Sequence, residues 1–136
     1  MREIKFRSWH KQDGYMILPE HCESFDINFT PKGYDGFSFD IRYKGSGGVL
    51  GSHKHIELMQ YTGLKDRNGK EIYEGDICKK TYGSSTPVFT VAYHDARGMF
   101  IMQDGYNEPL YTVNNSMVEI IGNIYENSEL TNKQNH

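Results

Sequence analysis

His53 and His55 are the residues in this chain whose type and spacing come nearest to a metal-ligand pair. Two positions apart on a strand, their imidazoles would project from one face and could share Zn²⁺ or a similar ion. His10, His94 and the adjacent His21 and Cys22 would have to complete the set from elsewhere in the fold. No second ligand pair shows a recognised spacing and no HExxH run occurs, so a metal-dependent enzyme using His53 and His55 is an alternative, and no cofactor is expected. Nucleophilic chemistry is weaker still. There is no GxSxG run and no Cys/His pairing that spacing supports. Cys78 directly follows Ile77 in an apolar stretch and reads as a small core residue, while Cys22 is the more exposed thiol with no activating cation beside it. The "GSGG" run is followed by Val49-Leu50-Gly51 rather than by a phosphate-loop Lys and a helix, so it reads as a loop.

The acidic residues crowd one short stretch, "NGKEIYEGDI" at 68–77. Asn68-Gly69 is the pair favoured in type I′ hairpin turns, where both central residues take positive φ. Gly75 lets the chain reverse between Glu74 and Asp76, and the Asp76 carboxylate can accept from nearby turn amides. Two carboxylates two positions apart, with no basic or metal-binding partner close in sequence, make a structural corner rather than an acid/base pair. No catalytic residue is expected.

Two kinds of binding surface remain. Tyr82, Phe89, Tyr93, Phe100, Tyr106 and Tyr111 could supply stacking platforms for single-stranded nucleic acid, with Lys79, Lys80 and Arg97 on the phosphates. Residues 58–136 carry ten acidic and seven basic residues, however, so the electrostatic attraction that dominates such binding would be small. Protein association fits better: exposed strand edges invite pairing with another copy. Trp9 and Tyr61 are the candidate interface aromatics, since such residues anchor interfaces, with closure of the core against the barrel as the alternative role of Trp9.

The elements that must position these residues are mostly strands. "REIKFRSW" alternates, with Ile4 and Phe6 on one face and Lys5, Arg7 and Trp9 on the other. Asp13-Gly14 then separates it from "YMIL" as a hairpin turn would. "SFDINF" and "FSFDIRY" repeat the period-two pattern, and "HKHIELMQY" at 53–61 fits a strand by its neighbours, with one or two helical turns at Glu57-Leu58-Met59-Gln60 as the alternative. The Gly-rich "KGSGGVLGS" at 44–52 suits a mobile loop or a boundary. Short strands are expected at 70–73, 76–82, 87–94, 98–103, 109–113 and 117–125, separated by frequent turn signals. This rhythm predicts an all-β fold: an N-terminal antiparallel β region at 1–61, packed on a small SH3-like β-barrel at 62–126, and a flexible tail at 127–136.

Composition allows this. A chain of 136 residues with 37% apolar and 13% aromatic residues can form one compact domain or two very small ones. Folding at this size buries roughly two-thirds of the chain's surface, enough for a core without disulfides. The net charge of −3 points to neither a polycation nor an acidic tail. No run approaches the ~18 apolar residues of a membrane helix, and "MREIKFRSW" lacks a secretory apolar region. Two isolated cysteines suit free thiols in a reducing cytoplasm.

Three stretches carry a family resemblance. "LMQYTGLKDRNGKEIYEGDI" (58–77) resembles the signature segment of the YopX family of phage and prophage proteins. "MREIKFRSW" is similar to that family's N-terminal strand, and "VEIIGNIYENSEL" (118–130) to its C-terminal end. The central match is long and ungapped, and the three pieces bracket the chain. The resemblance implies a mainly β fold, a phage or prophage origin and self-association, but no biochemical activity and no catalytic residues. Segment 19–52 departs from the family pattern and is where a specialised contact surface would lie. Together these readings predict a non-enzymatic, cytoplasmic binding or assembly module that forms homo-oligomers and contacts a phage or host protein. A single-stranded nucleic-acid-binding barrel is the alternative.

Overall fold

Alternation of β-branched or aromatic residues with polar ones builds nearly every element of this protein. The computed structural model describes residues 3–28, 38–43, 49–52, 56–81, 83–104 and 107–132, with 21–28, 38–43, 49–52 and 131–132 by their backbone alone. These residues form twelve strands, three 3-10 turns and one five-residue helix, so the all-β expectation holds. The chain divides into two compact units. One is Lys5–Met59, and the other is Gln60–His136 together with Met1–Ile4.

In the Lys5–Met59 unit, β1 (Phe6–His10) pairs antiparallel with β2 (Tyr15–Ile17), placing His10 opposite Tyr15. The hairpin turn expected at Asp13-Gly14 forms, but it is not a two-residue type I′ turn. Four residues intervene, the Gly14 N–H donates to the His10 carbonyl at 2.8 Å, and only Gly14, at φ +68°, is left-handed. Its reason is local: the Asp13 N–H donates to His10 Nδ1 at 3.1 Å, which closes a wider loop. β3 (Cys22–Asn28), β4 (Ser38–Tyr43) and β5 (Val49–Ser52) form a three-stranded antiparallel sheet. The strand β5 occupies the last four residues of the Gly-rich segment predicted to be a loop. Pairing of Val49, Gly51 and Ser52 with β4 overrides the low strand propensity of glycine there.

β6 (Ile56–Lys65) runs from one unit into the other at Gln60. In the second unit it pairs with β7 (Glu71–Tyr73). The remaining strands are β8 (Asp76–Lys80), β9 (Val88–His94), β10 (Met99–Gln103), β11 (Glu108–Pro109) and β12 (Val118–Asn123). They form a five-stranded antiparallel sheet in the order β11-β10-β9-β8-β12. Ile72, Cys78, Phe89, Val91, Met102, Leu110 and Val118 make its core, each at most 2% exposed. Cys78 is a buried core thiol outside any disulfide, as its place after Ile77 predicts.

One correction and one addition concern this unit's periphery. Residues 109–113, expected as a strand, contain a 3-10 turn at Leu110–Thr112. Pro109 offers no ladder donor, Thr112 Oγ1 donates to the Pro109 carbonyl at 2.7 Å, and Leu110 is the buried residue of the turn. In the expected tail, α1 (Ser128–Asn132) is helical. It starts after an Asx turn in which Asn123 Oδ1 accepts from the Tyr125 and Glu126 N–H groups.

Candidate functional site: an acidic, tyrosine-rimmed groove

Both turn signals in "NGKEIYEGDI" form turns, and they place their carboxylates differently. At the first, only Gly69 is left-handed (φ +80°), which rules out type I′. The Gly69 N–H donates to the Asp66 carbonyl, and the Asp66 N–H to the Lys70 carbonyl, giving a three-residue loop that ends in a left-handed glycine. Asp66 dictates that choice. Its Oδ1 accepts from the Asn68 and Lys70 N–H groups, and its Oδ2 reaches the Ile120 N–H on β12 at 3.0 Å. Asp66 is 5% exposed. Burial would raise its carboxyl, but three backbone N–H groups and the Lys70 charge outweigh this and hold it below its ordinary value.

At the second signal, Gly75 takes φ +85° and the Asp76 carboxylate accepts from the Tyr73 N–H at 2.8 Å. Asp76 is 2% exposed and belongs to the corner, as the sequence predicts. Glu74 does not. Its side chain turns to β6, where Oε1 accepts from the Gln60 N–H at 2.9 Å, while the Glu74 N–H donates to the Gln60 carbonyl at 3.0 Å. This two-way link holds Glu74 at the wall of an open groove of about 730 Å³.

Five elements of the second unit line that groove. β6 supplies Gln60, Thr62 and Leu64; the β7–β8 turn supplies Glu74; and β9 supplies Tyr93. The β9–β10 hairpin adds Asp95, Gly98, Met99 and Phe100, and the 3-10 turn adds Leu110 and Tyr111. Thr62 is oriented by donating from Oγ1 to the Ile72 carbonyl at 2.7 Å. Gly98, at φ +61°, closes the hairpin by donating to the His94 carbonyl, and His94 Nδ1 accepts from the Arg97 N–H. The β1–β2 loop uses the same His, four-residue and glycine device. Tyr93 and Phe100 are cross-strand partners with rings edge to face, 5.3 Å apart. Tyr93 is 44% and Tyr111 70% exposed, high values for residues of this size. Burial raises the Glu74 carboxyl, the Gln60 N–H opposes this, and the Asp95 charge adds to the rise.

The other sequence-derived candidates lie elsewhere. Tyr61, named as an interface residue, is 5% exposed, its ring tilted against Tyr73 at 5.5 Å, so it anchors the fold. Trp9 is half-buried on β1. Lys79 pairs with Glu119 at 3.5 Å across the β8–β12 ladder, and Arg97 donates to the Asn107 carbonyl at 2.7 Å. Neither cation lines the groove; Lys80, half-buried on β8, does not line it either. Of the proposed stacking aromatics, Phe89 is core, whereas Tyr93, Phe100 and Tyr111 converge. His53, His55, Tyr82 and Tyr106 lie outside the described residues, as do the side chains of His21 and Cys22. Among the described residues no three His, Cys, Asp or Glu side chains are placed to hold a metal ion, and no helix is long and apolar enough to cross a membrane.

Sequence reasoning missed Gln60, Asp66 and Asp95. One signal pointed to Glu74: its longer side chain, one position before the left-handed glycine, is free to reach away from the turn that the shorter Asp76 caps.

Two solved structures share this fold. Protein YopX from Bacillus subtilis is 23% identical with a TM-score of 0.65, over 96% of this chain and 98% of that one. Protein EF1440 from Enterococcus faecalis is 25% identical with a TM-score of 0.57, over 96% of this chain and 99% of that one. No curated protein matches. The family described as YopX protein matches residues 5–132, which takes in both units, the Asp66 turn and every residue of the groove. The chain therefore belongs to the YopX protein family.

Proposed function

We propose that this protein is a non-enzymatic binding or assembly module, encoded by a phage or prophage and acting in the host cytoplasm, that self-associates through surface contacts. The observation that carries this reading is the open groove rimmed by the exposed rings of Tyr93 and Tyr111. Large, stiff aromatics left accessible beside a concavity are the usual anchors of protein recognition.

Edge pairing of the five-stranded sheet is the less favoured route to assembly. The β12 edge is capped by the Asp66 turn through the Arg67 N–H to Val118 carbonyl and Ile120 N–H to Asp66 bonds. The opposite edge, β11, is two residues long and ends in Pro109. Sedimentation velocity at micromolar concentration tests self-association. The expected species is heavier than the 15.7 kDa chain, and a clean monomer removes the assembly reading.

A further inference from the structure

Resting on the reading that this chain self-associates, we propose that the groove of one copy receives the basic β6–β7 turn of a second copy. Both surfaces belong to the same compact unit, and both are built before they meet. Lys65, Arg67 and Lys70 are exposed on the turn. The acid among them, Asp66, is 5% exposed and has its carboxylate engaged by three backbone N–H groups, so the outer surface of the turn is positive. The Asp66 bond to the Ile120 N–H and the Arg67 N–H bond to the Val118 carbonyl tie the turn to β12. Its cations therefore stand on a fixed base, and a preorganised knob loses little freedom on docking.

The groove offers the complementary charge. Glu74 is already engaged, its Oε1 held by the Gln60 N–H at 2.9 Å, so the argument rests on Asp95, which is exposed on the β9–β10 hairpin and lines the groove. Lys11 pairs with Glu57 and Lys79 with Glu119, but neither Asp95 nor any of the three turn cations forms an ion pair among the described residues. Opposite charges left without ion-pair partners on two surfaces of one chain are satisfied between copies.

The aromatic rim suits the same occupant. A guanidinium stacks on tyrosine faces, and Tyr93 and Tyr111 present exposed rings at the groove, with Leu64 and Met99 as apolar surface for the methylene stem. The turn does not fill the groove of its own chain, since none of Lys65, Arg67 and Lys70 is among the lining residues, although Leu64 is. A turn entering a groove joins two different surfaces, so the assembly closes as a pair exchanging turns or as a ring.

Charge exchange tests the pairing, read by sedimentation velocity of the full chain at micromolar concentration. The fold uses Arg67 and Asp95 through their backbone groups, so Arg67→Glu and Asp95→Arg should both leave it intact, checked by circular dichroism. Each single variant should weaken association about tenfold, and the chain carrying both, in which the pair re-forms with its signs exchanged, should recover most of that loss. Arg67→Gln and Asp95→Asn, which remove charge without reversing it, should weaken association in the same direction by less. Either reversal assembling as well as the wild type would overturn the turn as occupant and leave self-association standing. Two weakened single variants with no recovery in the combined chain would overturn the pairing in the same way. A wild type that sediments as a 15.7 kDa monomer would remove the self-association reading and this one with it.

Discussion

Asp66 and Glu74 flank the same strand, β7, and their surroundings shift their protonation in opposite directions. Asp66 accepts from three backbone N–H groups, so replacing it with Ala leaves those donors to find water or go unpaired. We expect Asp66→Ala to cost about 3 kcal/mol, read as a lower denaturation midpoint with unchanged slope. Its folded carboxyl lies below the ordinary 3.8, so its contribution is whole above that pH and is lost as pH falls through the lower folded value. Asp66→Asn should therefore differ most from the wild type near neutrality and converge with it in acid. Glu74 has the reverse sign. Its carboxyl is raised above 4.5, so the stability it contributes is full below that value and is lost as pH rises through the folded value. Glu74→Gln keeps an acceptor for the Gln60 N–H and has no charge to bury. Its melting temperature should gain on the wild type as pH rises above 4.5, and parallel curves would show that the groove wall does not desolvate Glu74.

At the scale of elements, glycines act by two separable mechanisms. Gly69 has open space where a Cβ would stand but takes φ +80°, so Gly69→Ala should cost about 1 kcal/mol through backbone strain alone. Gly69→Asn should recover part of that, because Asn tolerates the left-handed region. Gly122 is the converse case. A Cβ there would come within 2.5 Å of Asn127 Oδ1 and 2.9 Å of its Cβ. Asn127 would have to swing away, losing its bond from the Asn123 N–H, so Gly122→Ala should cost about 1–2 kcal/mol with no rescue by Asn. Thermal melts of the four variants separate the mechanisms. The contrast also marks what was legible. Gly75 and Asp76 read correctly because the chemistry of that corner is contained in adjacent residues. The Asn68-Gly69 turn was legible in place but not in type, since the type is set by Asp66, whose third bond goes to a strand far along the chain. Leu110 and Thr112 alternate like a strand, yet Pro109 breaks the ladder there and the segment turns.

At the scale of the whole chain, alternation and turn spacing were enough for the all-β architecture, because each strand announces itself within its own few residues. The groove was not legible. Gln60, Glu74, Tyr93, Asp95 and Tyr111 come from five elements, brought together by the β6–β7–β8 reversals, the β9–β10 hairpin and the 3-10 turn after β11. Tyr93 and Tyr111 stood out as aromatics, but their neighbours are carboxylates rather than the lysines a nucleic-acid surface needs. Lys79 faces Glu119 instead. The proposed contact surface is these two exposed rings and not the capped sheet edges. Sedimentation velocity of the wild type beside a Tyr93→Ser/Tyr111→Ser variant tests it most directly. The expected result is a wild-type species heavier than 15.7 kDa and a folded variant shifted towards the monomer. A wild type that sediments as a single 15.7 kDa chain, or a variant that assembles just as well, would contradict it.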